Sequence, residues 1–111
     1  MYDRFNRKIH YLRVSVTDRC NLRCTYCMPE SGIRLMSHRD ILSYDEITEV
    51  VKVAVGLGID KVRITGGEPL VRKGIAVLVR MIAGIQGIVD FGMTTNGTLL
   101  PGFARELKDA G

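Results

Sequence analysis

The sequence predicts an α/β fold in which three strand-then-helix units follow one another, with parallel strands joined by right-handed crossovers. Two observations carry this. Strand-like segments recur at 11–17, 61–65 and 91–95, and behind each, beyond a loop, apolar residues return at helical spacing. The strands are also only half apolar, whereas a doubly wound sheet buries both faces and favours near-continuous apolar strands. Arg13, Ser15, Arg63, Thr65 and Thr94 supply polar rows, which suits a half-barrel whose inner face lines a substrate cavity.

Each element has its own signal. In Tyr11 to Thr17, Leu12, Val14 and Val16 alternate with Arg13, Ser15 and Thr17, so one face is apolar and the other polar. A long loop holding all the cysteines leaves this strand and runs from Asp18 to Leu42. Loops of that length without regular structure are commonly functional. Ser43-Tyr44-Asp45-Glu46 has the form of a capping box, opening a helix expected to turn Ile47, Val50, Val51 and Ala54 to one side, with Gly58 closing it. Lys61 to Thr65 repeats the alternation and runs into Gly66-Gly67-Glu68-Pro69, ahead of a helix over about 73–83 carrying Ile75, Leu78, Val79 and Ile82. The third strand, about 91–95, ends in Asn96-Gly97, and Pro101 is expected as the first residue of a last helix with Phe103, Leu107 and Ala110 inward and Gly111 as its cap. Three units leave the third strand with a bare edge, so residues 1–111 are expected to be the N-terminal part of a longer partial barrel.

Composition narrows the class. The chain has 111 residues, 46% hydrophobic and 25% charged, ordinary values for one folded domain and against disorder. No apolar run approaches membrane-spanning length, and the polar opening lacks a signal-peptide core, so a cytoplasmic protein without membrane contact is expected. The formal charge of +4 suits an anionic partner, yet the basic residues are scattered. A phosphorylated small molecule fits as well as nucleic acid. An odd count of three clustered cysteines argues against a disulfide framework and for reduced thiols.

Those thiols, Cys20, Cys24 and Cys27, offer three ligands where a structural zinc normally takes four, so a metal position would stay open. The spacing Cys20-x-x-x-Cys24-x-x-Cys27, with Tyr26 before the last cysteine, resembles the signature of the radical S-adenosylmethionine superfamily. That resemblance implies a [4Fe-4S] cluster held by the three cysteines, which cleaves S-adenosylmethionine to a 5′-deoxyadenosyl radical once a reductant has supplied an electron. It also places Gly67 and Glu68 at the amino group of S-adenosylmethionine and Tyr26 beside the adenine. An alternative is a zinc site completed by His10 or His38; zinc modules, however, normally show a second Cys or His pair.

The wider strings Tyr11-Leu12-Arg13, Thr17-Asp18-Arg19-Cys20, Arg63-Ile64-Thr65-Gly66-Gly67 and Thr94-Thr95-Asn96-Gly97 resemble the branch of the superfamily that cyclises GTP in molybdenum cofactor biosynthesis. This resemblance implies an incomplete TIM-like barrel of six strand-helix units with a C-terminal extension, and GTP contacts from Arg13, Arg63 and Thr94. The implied reaction takes hydrogen from the ribose C3′ and joins that carbon to C8 of guanine. A second [4Fe-4S] cluster is expected on cysteines beyond residue 111, and a homodimer is compatible. Arg13 and Arg63 also lie on the polar rows identified by alternation, where each could instead pair with Asp18, Glu68 or another carboxylate. The alternatives are another radical enzyme of the superfamily, of peptide-modifying or heme-pathway type, and a non-catalytic zinc- or RNA-binding module.

Overall fold

Alternation becomes strand where it is expected. The structure, a computed structural model, describes residues 1–22 and 40–111. Its elements run β1 (Tyr11–Ser15), α1 (Tyr44–Gly56), β2 (Lys61–Thr65), a 3-10 turn (Pro69–Val71), α2 (Ile75–Ala83), β3 (Asp90–Met93) and α3 (Leu100–Ala110). The sheet is parallel in the order β1-β2-β3. Leu12 stands beside Val62 and Val62 beside Phe91, and Val14, Ile64 and Met93 follow in the same register.

Those six side chains share one face, and all three helices are packed on it. Ile47 and Val51 of α1, Ile75, Leu78, Val79 and Ile82 of α2, and Ala110 of α3 join Val62 and Ile64 in a single core. Ile64, Leu78 and Ile82 are fully buried, and burial of side chains this size is worth about 1.5–3 kcal/mol each. The opposite face carries Arg13, Ser15, Arg63 and Thr65, and no described helix covers it. A one-sided parallel sheet is the half-barrel arrangement, not the doubly wound one.

Local departures from the sequence reading have local causes. β1 ends at Ser15; the Val16 amide still reaches the Thr65 carbonyl, and Thr17 beyond it is buried, its hydroxyl accepting from the Arg19 amide at 3.1 Å. The Ser43 capping box forms, with the Glu46 amide donating to Ser43 Oγ at 3.1 Å and the Ser43 amide to Glu46 Oε2 at 2.8 Å. Val50 is not on the buried side of α1 and stays 52% exposed. It lies roughly 100° of rotation from Val51, and the buried face centres between Ile47, Val51 and Thr48. Leu57 is the C-terminal cap of α1, with Gly58 following at φ +106°. α2 starts at Ile75 instead of near Lys73, since Gly74 takes a left-handed conformation and the Lys73 carbonyl accepts from the Tyr44 hydroxyl at 2.6 Å. β3 runs one residue earlier than expected at its start and ends at Met93, while α3 opens at Leu100 with Pro101 second.

Candidate functional site at the C-terminal end of the sheet

The three strands end side by side, and their following loops are stitched together. The Val16 amide donates to the Thr65 carbonyl at 3.0 Å, the Gly67 amide to the Thr17 carbonyl at 2.7 Å and the Glu68 amide to the Arg19 carbonyl at 2.8 Å. The start of the cysteine loop therefore runs against Gly66-Gly67-Glu68 as a continuation of the sheet. This explains the paired glycines. Gly66 has φ +153°, and a Cβ there would stand 2.6 Å from the Thr17 carbonyl oxygen; a Cβ on Gly67 would overlap the Arg19 carbonyl. The missing side chains thus admit the chain's own cysteine loop.

Glu68 faces away from that seam. Its carboxylate is 1% exposed and accepts from the Leu70 amide at 3.2 Å, the Thr95 hydroxyl at 2.5 Å and the Asn96 amide at 2.7 Å. A buried carboxylate needs such donors to offset lost hydration. The side chain ties the loop after β2 to the loop after β3, and the Glu68 carbonyl in turn accepts from the Val71 amide at 3.1 Å.

Asn96 continues the chain of contacts. Its Oδ1 accepts from the Thr98 amide at 3.1 Å and the Thr98 hydroxyl at 2.9 Å, while its Nδ2 lies 2.8 Å from Asn21 Oδ1 and 4.0 Å from Cys20 Sγ. Asn21 Nδ2 donates to Thr98 Oγ1 at 2.6 Å, and the Leu22 amide approaches Cys20 Sγ at 3.4 Å. Cys20 is partly exposed and unbridged. Cys24, Cys27 and Tyr26, like His38, lie outside the described residues.

The open face of the sheet carries the two arginines. Arg13 and Arg63 occupy the same register on β1 and β2, and Gly92 of β3 stands across from Arg63. The Arg63 guanidinium lies over Gly92, where a Cβ would sit 3.4 Å from Nη2. No ion pair joins either arginine to a described carboxylate, Glu68 included. Asp90 pairs with Lys61 at 2.7 Å, and that hydrogen bond, against some desolvation and with help from the Lys61 and Arg63 charges, lowers its pKa. The Thr94 amide donates to the Ile64 carbonyl at 2.9 Å, carrying the ladder one step past β3, with Thr94 exposed.

Arg72 carries no signal in the sequence pattern. Its Nη1 donates to the Val16 carbonyl at 2.8 Å, its Nη2 to the Leu42 carbonyl at 2.7 Å, and its guanidinium stacks 4.3 Å from the Tyr44 ring centre. It fastens the root of the cysteine loop to its return at α1. Nor does local pattern mark Thr95, Asn96 and Asn21 as site residues, because the partners that join them to other loops are more than 25 residues away in sequence.

A family model described as the radical SAM superfamily matches residues 14–111. The chain belongs to the radical SAM superfamily. Membership brings a TIM-like barrel fold, a [4Fe-4S] cluster and S-adenosylmethionine as the superfamily's cofactors. The chain is 59% identical over 111 residues to a GTP 3′,8-cyclase of Alkaliphilus oremlandii and 61% identical over 112 residues to one of Thermodesulfovibrio yellowstonii. It is 59% identical to a third protein of that name from Pelotomaculum thermopropionicum. Each match covers all of this chain but only 35%, 35% and 34% of the relative. The chain thus spans about a third of their length.

The described part of the radical SAM loop suits a cluster ligand. Among the described residues the two groups that approach the Cys20 sulfur are N–H donors, which is what the remaining lone pairs of a metal-bound thiolate accept. Among the described residues no helix is long and apolar enough to cross a membrane.

Proposed function

We propose that the chain is the N-terminal part of a GTP 3′,8-cyclase, a radical lyase of molybdenum cofactor biosynthesis built on a six-unit partial barrel. The observation that carries the substrate is the register pair Arg13 and Arg63, on neighbouring strands of the open face and neither of them ion-paired to a described carboxylate. Two cationic side chains rooted on neighbouring strands of one open face favour an anion there, and each guanidinium can fork two hydrogen bonds to phosphate. The identity to GTP 3′,8-cyclases over all 111 residues supports GTP as that anion.

In this reading Cys20, Cys24 and Cys27 hold the cluster. When bound and reduced by an electron donor, it supplies the electron that cleaves S-adenosylmethionine to methionine and the radical that takes hydrogen from the ribose. The chain's own residues do the rest by placement. Gly67 and Glu68 meet the amino group of S-adenosylmethionine through main-chain carbonyls, since their amides are committed to Thr17 and Arg19 and the Glu68 carboxylate to Leu70, Thr95 and Asn96. Tyr26 lies by the adenine. Arg13 and Arg63 bind the triphosphate, and Thr94, at the lip of β3, hydrogen-bonds GTP. Cysteines of the remaining polypeptide hold the second cluster, and the protein works in the cytoplasm, as a monomer or a homodimer.

The test is GTP binding by the intact polypeptide, reconstituted anaerobically. Arg13→Ala and Arg63→Ala should each weaken GTP roughly tenfold or more, the loss of a charge-assisted contact worth about 1.5–3 kcal/mol. Both should keep the wild-type iron content and melting temperature. Unchanged GTP affinity in both variants would remove the pair from the substrate site.

A further inference from the structure

We propose that Asn96 is a positioning residue for Cys20, its side-chain amide aimed at the cysteine sulfur and setting the reduction potential of the cluster that Cys20 helps to hold. The proposal rests on the cluster reading above. The orientation of the amide is decided by its other end. Asn96 Oδ1 faces two donors, the Thr98 amide and hydroxyl, and a backbone N–H can only donate. Nδ2 must then face the other way, where Asn21 Oδ1 and Cys20 Sγ lie.

The residue is also anchored from below. Its main-chain N–H is bound by the buried Glu68 carboxylate at 2.7 Å, so the loop after β2 fixes the loop that presents the amide. Asn21, next to Cys20, closes a ring with Asn96 and Thr98. The loop after β2 thus braces the loop after β3, and that loop presents its amide to the sulfur of the loop after β1. N–H donors to cluster sulfurs stabilise the more negative, reduced form and raise the potential. Leu22 offers a second donor at 3.4 Å, but its amide belongs to the cysteine loop itself. Asn96 is the donor that the rest of the fold controls.

Asn96→Ser is the informative variant. A serine hydroxyl can still accept from the Thr98 amide and keep the turn, but it is too short to reach Cys20. Potentiometric titration of the anaerobically reconstituted intact protein, followed by electron paramagnetic resonance, reads the effect. The reduced-to-oxidised ratio at fixed solution potential should fall roughly tenfold, equivalent to a shift of about 59 mV to more negative potential for a one-electron couple. Thr98→Ala is the control: it breaks two bonds of the ring and leaves the amide in place, so its potential should match the wild type. An unshifted potential in Asn96→Ser, or an equal shift in Thr98→Ala, overturns the assignment. An Asn96→Ser protein that melts well below wild type overturns it as well, making the residue a brace for the loop. If the wild-type protein itself assembles no [4Fe-4S] cluster, the cluster reading fails first and takes this inference with it.

Discussion

Glu68 shows how a single residue can differ from its motif. Read in sequence, Gly66-Gly67-Glu68-Pro69 is a turn at a strand end that offers its groups to a ligand. In the fold, the glycines admit the Thr17 to Arg19 backbone and the carboxylate is buried under three donors. Replacing it with alanine would leave the Thr95 O–H and the Leu70 and Asn96 amides without the acceptor they use now. Glu68→Ala is therefore expected to cost about 3 kcal/mol of unfolding free energy, read as a lower denaturant midpoint at unchanged slope. Glu68→Gln should cost less, about 1–2 kcal/mol, because its oxygen still accepts while its NH2 group meets the Asn96 N–H donor to donor. Equal losses would mean that packing, not the charge, holds the site. Alternation places Arg13 and Arg63 on a polar face because that pattern is local. The Glu68, Asn96 and Arg72 contacts were not legible, since each joins segments far apart in the chain and a side chain's partner leaves no periodic trace.

Element by element, the signals that hold in the fold are those a few residues can express. β2 falls on Lys61–Thr65 as the alternation requires, and Ser43 caps α1 through the box its spacing predicts. The errors fall where tertiary contacts decide. Val50 is apolar and helical yet faces solvent, because the sheet chooses which third of α1 is covered. Lys73 stays outside α2 because its carbonyl is taken by Tyr44 of the neighbouring helix. The cap offers a clean measurement. Ser43→Ala should lower stability by about 1 kcal/mol, whereas Ser43→Gly should lose only a few tenths. The cap sits directly after the return of the cysteine loop and beside the Leu42 carbonyl that Arg72 holds. A loss well above that range in Ser43→Ala would show that the cap also secures the loop.

At the scale of the whole molecule the two ends of the sheet do different work. The C-terminal ends carry the cysteine loop, Glu68 and Asn96, while the N-terminal ends are tied by a separate set of contacts. There the His10 carbonyl accepts from the Asp60 and Lys61 amides, and His10 Nδ1 stands 2.8 Å from the Asp60 carboxylate, with Lys8 at 3.9 Å. The hydrogen bond from His10 is the largest influence on Asp60 and lowers its pKa, partly opposed by desolvation. An Asp in the unfolded chain titrates near about 3.9. Between the depressed native value and that one the unfolded chain binds more protons, so stability rises with pH across the window. The contribution is complete above about pH 4 and is lost as pH falls through the native value. Asp3, held by Arg7, and Asp90, held by Lys61, are lowered in the same sense and steepen the same acid limb. His10→Ala removes the main cause at Asp60, so its denaturant midpoint should fall less steeply than wild type as the pH is taken from about 5 to 3. The substitution lies at the end of the sheet remote from the cysteine loop, so cluster content at neutral pH should not change. Parallel acid limbs in the two proteins would show that the His10 bond does not survive in solution, and Lys8 would then be the partner that matters to Asp60.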